Sequence, residues 1–270
     1  MKSSKNEVLH MAKILFFGTC AGTEPIMGMH HCSLALETNG YYYWFDAGEN
    51  CSRTAIKMGV DILKVRAVFI SHTHIDHVGG LVNLIHCVQK LTVMRNQLPP
   101  NGELSLFLPN LETYRGVETI LKWSDLEHVA DCFELKVSRT KEGLLYEDEH
   151  IKVSTVPNLH ITPVVEGEWL SYTHIIEVEG KKVVFSGDVK SLTELVTPLE
   201  GGCDVLICET GHHKVEDVCR LAEENGVKNL LFCHNGREII NHRQICEGKV
   251  ARCGCRAMIC NDEMIFDLED

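Results

Sequence analysis

The strongest constraint on this chain is the stretch SHTHIDHVGG at residues 71–80, which follows the apolar run AVFI. It places four metal-binding side chains within six positions, namely His72, His74, Asp76 and His77. Imidazole and carboxylate groups are ligands for Zn²⁺, and also for a harder ion such as Mn²⁺. An apolar strand that ends in such a cluster predicts a metal site held rigidly at the rim of a sheet.

Four other apolar runs also end in a side chain that is able to bind a metal. The side chains are Asp46 after YYYWF, His160 after IKVSTVPNL, Asp188 after KKVVFSG and His234 after NLLFC. Strand ends on one edge of a sheet converge in space although they lie far apart in the sequence. Since a tetrahedral ion that keeps a position for water needs only three protein ligands, we expect two ions here. We expect Asp46 to support the ligand loop by hydrogen bonding rather than to bind an ion.

Strands and helices alternate along the whole chain, which predicts one α/β domain over residues 1–270 with mixed sheets. Residues 1–12 are expected to form a flexible lead. Residues 131–156 alternate between polar and apolar as antiparallel strands do, with KEGLLYEDE as a charged turn region. The tail RAMICNDEMIFDL is expected to form a last hairpin.

Composition restricts the classes of function that this chain can have. A formal net charge of −12 at pH 7 disfavours a broad nucleic-acid surface, because such binding depends on Lys and Arg neutralising phosphates. No apolar run reaches the roughly 18 residues that a membrane helix needs. The start of the chain lacks the features of a signal peptide, so we expect a cytoplasmic protein. Most of the 13 cysteines are therefore expected to be buried free thiols.

The cysteines near the C-terminus allow two interpretations. Cys253 and Cys255 form a CxC motif, and together with Cys246 and Cys260 they could form a second metal site. A CxC motif without a paired CxxC motif or a histidine is weak evidence for a metal. Reduced cysteines near a turn are the favoured interpretation.

HTHIDH matches the HxHxDH signature of the metallo-β-lactamase superfamily, and the later order of His, Asp and His matches it too. Within the superfamily the chain most resembles the ribonuclease Z and phosphodiesterase branch. The matching pieces are FFGTCAGTEP, SLALETNGYYYWFDAGE, FISHTHIDHVGGL, VFSGD, DVLICET and GVKNLLFCH. The resemblance covers roughly residues 13–240 and implies an α/β fold, a four-layer αββα sandwich with two mixed β-sheets.

The resemblance also implies a set of site residues. Each of two metals takes three ligands, and an aspartate bridges them: His72, His74 and His160 for the first, Asp76, His77 and His234 for the second, with Asp188 between. The implied cofactors are two Zn²⁺ per chain, with Mn²⁺ or Fe as alternatives. The implied catalytic residues are Asp76 and His212, and the neighbouring His213 is the alternative proton donor. His30 and His31 either line the pocket or are plain surface residues.

One departure from ribonuclease Z bears on the substrate. The common type of ribonuclease Z carries a long Gly- and Pro-rich arm that grips tRNA, whereas His160 and Asp188 are only 28 positions apart here. We therefore expect a binuclear hydrolase, a phosphodiesterase that uses a metal-bridging hydroxide on a small phosphodiester or cyclic nucleotide. The expected partner is a small-molecule substrate, with nucleic acid and membranes disfavoured, and relatives suggest a homodimer.

Other functions remain open at this stage. A ribonuclease Z-like enzyme that processes tRNA 3′ ends and a lactone or thioester hydrolase use the same ligands. A metal-binding sensor or scaffold without activity is the non-enzymatic alternative, although every ligand position is filled. A di-iron oxidoreductase is disfavoured because no flavin domain fits in the remaining length.

Overall fold

The computed structural model describes residues 11–124, 132–162 and 168–269, which form two seven-stranded β-sheets flanked by helices. The first sheet contains β1 (Lys13–Gly18), β2 (Ser33–Thr38), β3 (Tyr41–Phe45), β4 (Val65–Phe69), β5 (Glu103–Leu108), β6 (Glu134–Arg139) and β14 (Ile265–Asp267). The second contains β7 (Gly143–Glu147), β8 (Ile151–Pro157), β9 (Tyr172–Val178), β10 (Lys181–Phe185), β11 (Cys203–Glu209), β12 (Val227–Cys233) and β13 (Arg256–Ile259). The helices are α1 (Cys51–Lys57), α2 (Ile75–Val78), α3 (Leu81–Arg95), α4 (Leu111–Ser124), α5 (Val215–Glu224) and α6 (Arg237–Val250).

Both sheets are mixed, as the sequence predicts. The first has the order β14-β1-β2-β3-β4-β5-β6, with parallel pairs from β3 to β6. The second has the order β13-β12-β11-β10-β9-β8-β7, with parallel pairs from β10 to β13. The β2–β3 hairpin turns at Asn39 and Gly40, which both have positive φ angles (52° and 75°), as a tight type I′ turn requires.

Three apolar clusters separate the four layers of the sandwich. Phe16 and Phe45 of the first sheet pack with Ile176 and Phe185 of the second in the cluster between the sheets. On the outer face of the first sheet, buried side chains of α1, α3 and α4 cover alternate strand residues such as Trp44. On the outer face of the second sheet, α5 and α6 do the same. This arrangement confirms the predicted αββα sandwich.

Two expectations about strand partners are wrong. β6 pairs in parallel with β5 in the first sheet, whereas β7 and β8 form an antiparallel pair in the second, so residues 131–156 are not one antiparallel unit. The stretch KEGLLYEDE contains strand β7 and is not simply a turn. The tail is not a hairpin, because β13 joins β12 while β14 joins β1 in the other sheet. In each case the alternation identifies a strand but carries no information about its neighbour.

Two further expectations concern the ends and the helices of the chain. Most of the flexible lead expected over residues 1–12 lies outside the described residues, and the single domain over 1–270 stays a prediction. Among the helices that the structure describes, none has the length and apolar character needed to cross a bilayer.

A largely buried carboxylate joins the two sheets just before the start of β8. Asp148, in the turn before β8, accepts hydrogen bonds from the hydroxyls of Tyr43 (2.6 Å) and Tyr146 (2.9 Å). It also binds the guanidinium of Arg66 on β4 at 3.0 Å. Burial by itself would raise the pKa of Asp148, but the hydrogen bonds from Tyr43 and from backbone N–H groups lower it to about 2.

We expect Asp148→Asn to lower the free energy of unfolding by about 1–3 kcal/mol, because it leaves buried donors without a charged partner. The measurement is urea unfolding at pH 7. The control is Glu149→Gln, since Glu149 binds the same Arg66 at 2.8 Å but its side chain is 62% exposed, against 11% for Asp148. That control should change stability by less than about 1 kcal/mol.

The pH dependence gives a second check of the same prediction. The native pKa of Asp148 lies below its ordinary value of 3.8, so ionised Asp148 stabilises the fold above that value. The stability difference between the parent protein and Asp148→Asn should shrink as the pH falls from 4 towards 2. Equal losses from Asp148→Asn and Glu149→Gln at pH 7 would contradict a special role for Asp148.

Candidate metal centre

The predicted metal ligands come together at one rim of the sandwich. Each long-range ligand follows the carboxyl end of a strand: His72 follows β4, His160 follows β8, Asp188 follows β10 and His234 follows β12. Asp76 and His77 lie on α2, the single helical turn that begins just after His74. The rim therefore receives side chains from both sheets, as the convergence of strand ends predicts.

Three histidines form the first half of the cluster. His74 Nδ1 lies 3.1 Å from His72 Nε2 and 3.2 Å from His160 Nε2. Burial lowers the pKa of His72 and of His160, and so keeps both rings neutral. The neutral imidazole is the form that binds a metal. These three histidines are the set that the resemblance assigns to the first ion.

One carboxylate and two histidines form the second half. Asp76 Oδ2 lies 3.1 Å from His234 Nε2 and 3.3 Å from His77 Nε2. Burial by itself would raise the pKa of Asp76, but the hydrogen bond from His234 and the nearby ring of His77 hold it far below its usual range. All three residues are buried, and they are the set assigned to the second ion.

Asp188 lies between the two halves. Its Oδ2 is 3.9 Å from His72 Nε2 and 3.6 Å from His160 Nε2, and its Oδ1 is 3.6 Å from His77 Nε2 and 3.4 Å from His234 Nδ1. Asp188 Oδ1, His77 Nε2 and His234 Nδ1 are buried and make no hydrogen bond with any described residue. Buried polar atoms are normally satisfied. Three unsatisfied atoms that face one another fit the coordination shell of a cation.

Asp46 supports the centre from behind, as the sequence predicts. It accepts hydrogen bonds from the backbone N–H and the hydroxyl of Ser71, both at 2.7 Å. Its other contact is His77 Nδ1 at 2.6 Å, which leaves His77 Nε2 free to face the site. Burial alone would lower the pKa of His77, but Asp46 and Asp188 raise it to about 10.

The backbone around the centre is strained or closely packed. Asp46 and His234 both have left-handed backbone conformations, with φ angles of 54° and 51°. Such strain in residues other than glycine is concentrated at functional sites. Gly187 has φ 55°, and a Cβ atom there would lie 2.8 Å from the Cβ atom of Ser71. Position 187 therefore requires glycine, which lets Asp188 approach the ligand loop.

Glu209 is a site residue that the sequence analysis missed. It is the last residue of β11, is almost fully buried, and joins Asp188, His212 and His234 in one group of possible ligands. His212 Nδ1 lies 3.1 Å and 3.2 Å from its two carboxylate oxygens. The hydrogen bond with Glu209 raises the pKa of His212. Glu209 could have been predicted from the sequence, because β11 is also an apolar strand that ends in a polar residue.

The structure separates the positions of four histidines whose roles the sequence left open: His30, His31, His212 and His213. His212 lines the cavity above the cluster, and its Nδ1 is 3.8 Å from Asp188 Oδ2. His213 does not line the cavity, and its Nε2 lies 3.0 Å from the carbonyl oxygen of Val189 and 3.5 Å from Glu209 Oε1. His30 and His31 contact Glu49 and are not among the residues that line the cavity.

A cavity of about 190 Å³ opens directly above the cluster. Gly22, Gly211 and Gly236 form part of its wall, and Arg237, which pairs with Glu24, lies at the rim. A larger groove of about 770 Å³ lies on the second sheet, but none of the predicted ligands lines it. The candidate metal centre therefore opens into the smaller cavity.

Known proteins share this architecture. Ribonuclease Z of Halalkalibacterium halodurans is 24% identical over 313 residues, covering 94% of this chain and 97% of the relative. The metallo-β-lactamase fold protein YhfI from Bacillus subtilis superposes with a TM-score of 0.73 at 17% identity, covering 95% of this chain and 99% of that one. A diphosphatase from the PhnP family gives a TM-score of 0.64 at 15% identity, with coverages of 95% and 97%.

The fold and these relatives define the chain as a metal-dependent hydrolase of the metallo-β-lactamase superfamily, in the branch of ribonuclease Z, and so confirm the predicted class. Residues 12–245 match the family described as "Anti-Pycsar protein Apyc1". The chain belongs to that family.

We expect Asp188→Asn to lower metal content, because the amide cannot replace a carboxylate that faces both halves of the cluster. The measurement is elemental analysis after dialysis against metal-free buffer, with about two ions per chain for the parent protein and at most about one for the variant. The control is Asp217→Asn, which changes a half-exposed carboxylate on α5. An Asp188→Asn protein that keeps both ions would rule out the bridging assignment.

Proposed function

We propose that this protein is a phosphodiesterase that acts on small phosphodiesters such as cyclic nucleotides, with two Zn²⁺ per chain and Mn²⁺ or Fe as alternatives. The observation that carries the proposal is that His212, which is hydrogen-bonded to the buried Glu209, lines the small cavity above the ligand cluster. Divalent ions supply Lewis-acid polarisation of phosphoryl oxygens and lower the pKa of bound water.

The protein residues supply positioning and a proton. His72, His74 and His160 on one side, and Asp76, His77 and His234 on the other, would hold the ions, with Asp188 between them. Glu209 favours the protonated form of His212, because its hydrogen bond raises the pKa of the imidazole. A protonated imidazole at the cavity wall suits a general acid that gives a proton to the leaving oxygen. Asp76, which also lines the cavity, is the second candidate for proton transfer.

The dimensions of the site favour a small substrate. The cavity of about 190 Å³ matches a phosphoryl group with part of its substituents, and it lies below the size that is typical of drug-sized ligand sites. Between His160 and Asp188, the described residues contain only the β9–β10 hairpin as regular structure. No basic arm of the tRNA-gripping kind is encoded in those 28 positions, and the net charge of −12 opposes a long phosphate backbone.

A ribonuclease activity is the second candidate. The ribonuclease Z relative aligns with 94% of this chain, which supports that alternative as well as the proposed one. A lactone or thioester hydrolase is the third, because the ligand set does not depend on which bond is cleaved. The proposal includes a cytoplasmic location, and it includes a homodimer because relatives suggest one.

The deciding experiment is hydrolysis of a panel by metal-loaded protein: bis-p-nitrophenyl phosphate, a 3′,5′-cyclic nucleotide, a pre-tRNA, a lactone and a thioester. We expect turnover of the first two alone, since the cavity is small and the protein is acidic. Asp188→Asn provides the blank for contaminating activity. Pre-tRNA cleavage would make ribonuclease Z the better description, and lactone or thioester turnover alone would exclude the phosphodiesterase.

We expect His212→Ala to keep its metal but to lose about 100-fold or more in kcat, the range for removal of a general acid. His213→Ala is the matched comparison, because this ring contacts Val189 and Glu209 from outside the cavity and should cost much less rate than His212→Ala. Rate and metal content are measured on the same samples. Equal losses of rate in both variants, or loss of metal from His212→Ala, would contradict the assigned role.

A further inference from the structure

Part of the wall of the cavity above the candidate metal centre is a short stretch of backbone, the wall segment (residues 21–24). Ala21, Gly22 and Thr23 line the cavity directly. A Cβ atom added at Gly22 would lie 2.7 Å from Asp76 Oδ2, so the wall segment packs against a proposed metal ligand. The position of this segment therefore sets the shape of the space that a substrate can occupy.

Two contacts tie the wall segment to the chain around the start of α6. The N–H of Ala21 donates to the carbonyl oxygen of Asn235 at 3.1 Å. The carboxylate of Glu24 pairs with the guanidinium of Arg237, the first residue of α6. Both ends of the wall segment are therefore attached to the segment that follows β12.

His31 holds the middle of the wall segment from a different part of the chain. Its Nε2 lies 3.1 Å from the carbonyl oxygen of Thr23, and its Nδ1 lies 2.7 Å from Glu49 Oε2. The same carboxylate oxygen accepts from the backbone N–H of His31 at 2.9 Å. A carbonyl oxygen and a carboxylate accept hydrogen bonds and do not donate them. The ring therefore makes both hydrogen bonds when each of its nitrogens carries a proton.

Glu49 is in turn fixed close to the helix that carries two proposed ligands. Two residues before it, the N–H of Ala47 donates to the carbonyl oxygen of His77 on α2 at 2.7 Å. A carboxylate that is held in this way sets the orientation of the imidazole with which it pairs. The contacts thus run from α2 through Glu49 and His31 to the wall segment.

We propose that His31, oriented by Glu49, is a positioning residue for substrate binding, because it fixes the wall segment at Thr23. This inference rests on the proposed function, since it assumes that the substrate occupies the cavity that Thr23 lines. Among the described residues, His31 belongs neither to the cavity lining nor to a group of possible metal ligands, so it acts through the wall segment. Loss of its Nε2 contact would free Thr23, while Asn235 still holds Ala21.

The first test is the steady-state kinetics of metal-loaded protein with bis-p-nitrophenyl phosphate. We expect His31→Ala to raise KM about fivefold, roughly the effect of one hydrogen bond, and to change kcat by less than about twofold. The control is His150→Ala, which should change neither parameter. The side chain of His150 is 16% exposed, like that of His31, and it also faces a glutamate, but it does not line the cavity.

Two conservative variants separate the contact with Thr23 from the contact with Glu49. The amide nitrogen of glutamine can take the place of Nε2 as a donor, whereas that of asparagine takes the place of Nδ1. We therefore expect His31→Gln to restore most of the parent KM and His31→Asn to resemble His31→Ala. Equal KM values in the glutamine and asparagine variants, or a parent-like KM in His31→Ala, would overturn the proposal.

Hydrogen exchange measures the wall segment without a substrate. Amides in a peptide covering residues 18–29 should exchange about fivefold faster in His31→Ala than in the parent protein and in His150→Ala. A peptide covering β12 should exchange at the parent rate in all three proteins, which shows that the fold is intact. Unchanged exchange of residues 18–29 in His31→Ala would overturn the proposal. Faster exchange in a protein family of variants without phosphodiesterase activity would instead count against the proposed function alone.

Discussion

The packing of the two inner sheet faces is the constraint from which the candidate metal centre follows. The rings of Phe45, Phe69 and Phe185 meet in the core, with centroid distances of 5.0 Å between the first two and 6.1 Å between Phe45 and Phe185. These rings are the last residues of β3, β4 and β10, and each strand leads within three residues to a site residue, namely Asp46, His72 or Asp188. Close packing of aromatic side chains fixes the register of the two sheets. The positions of the ligands at the rim are therefore set by apolar contacts below them.

The parts of the site that the sequence predicted are those that depend on local pattern. An apolar strand-like run that ends in a histidine identifies His160 and His234 without knowledge of the fold. The partners of the strands were not predictable in the same way. β13 and β14 are separated by only five residues but belong to different sheets, because the chain passes from the outer edge of one to the outer edge of the other. Alternating apolar residues indicate that one face of a strand is buried, but a strand in either sheet can have such a face.

Glu209 shows a different limit of sequence reasoning. It follows the strand-end pattern and lies in the matching piece DVLICET, but neither observation indicates what its carboxylate contacts. Its position behind His212 is visible only in the folded structure, where the carboxylate lies 3.1 Å from His212 Nδ1.

The charges of the centre bear on the proposed action of this acidic protein on an anionic substrate. Four carboxylates are buried at or behind the cluster: Asp46, Asp76, Asp188 and Glu209. Buried like charges are costly unless cations compensate them. The pKa of His72 and of His160 is lowered, so these rings contribute little positive charge, whereas Asp46 and Asp188 raise the pKa of His77 and favour its charged form. The two divalent cations of the proposed function would replace such protons and offset the four carboxylates. In that loaded site, the ions that relieve repulsion beneath the rim would also attract a phosphate group to the cavity.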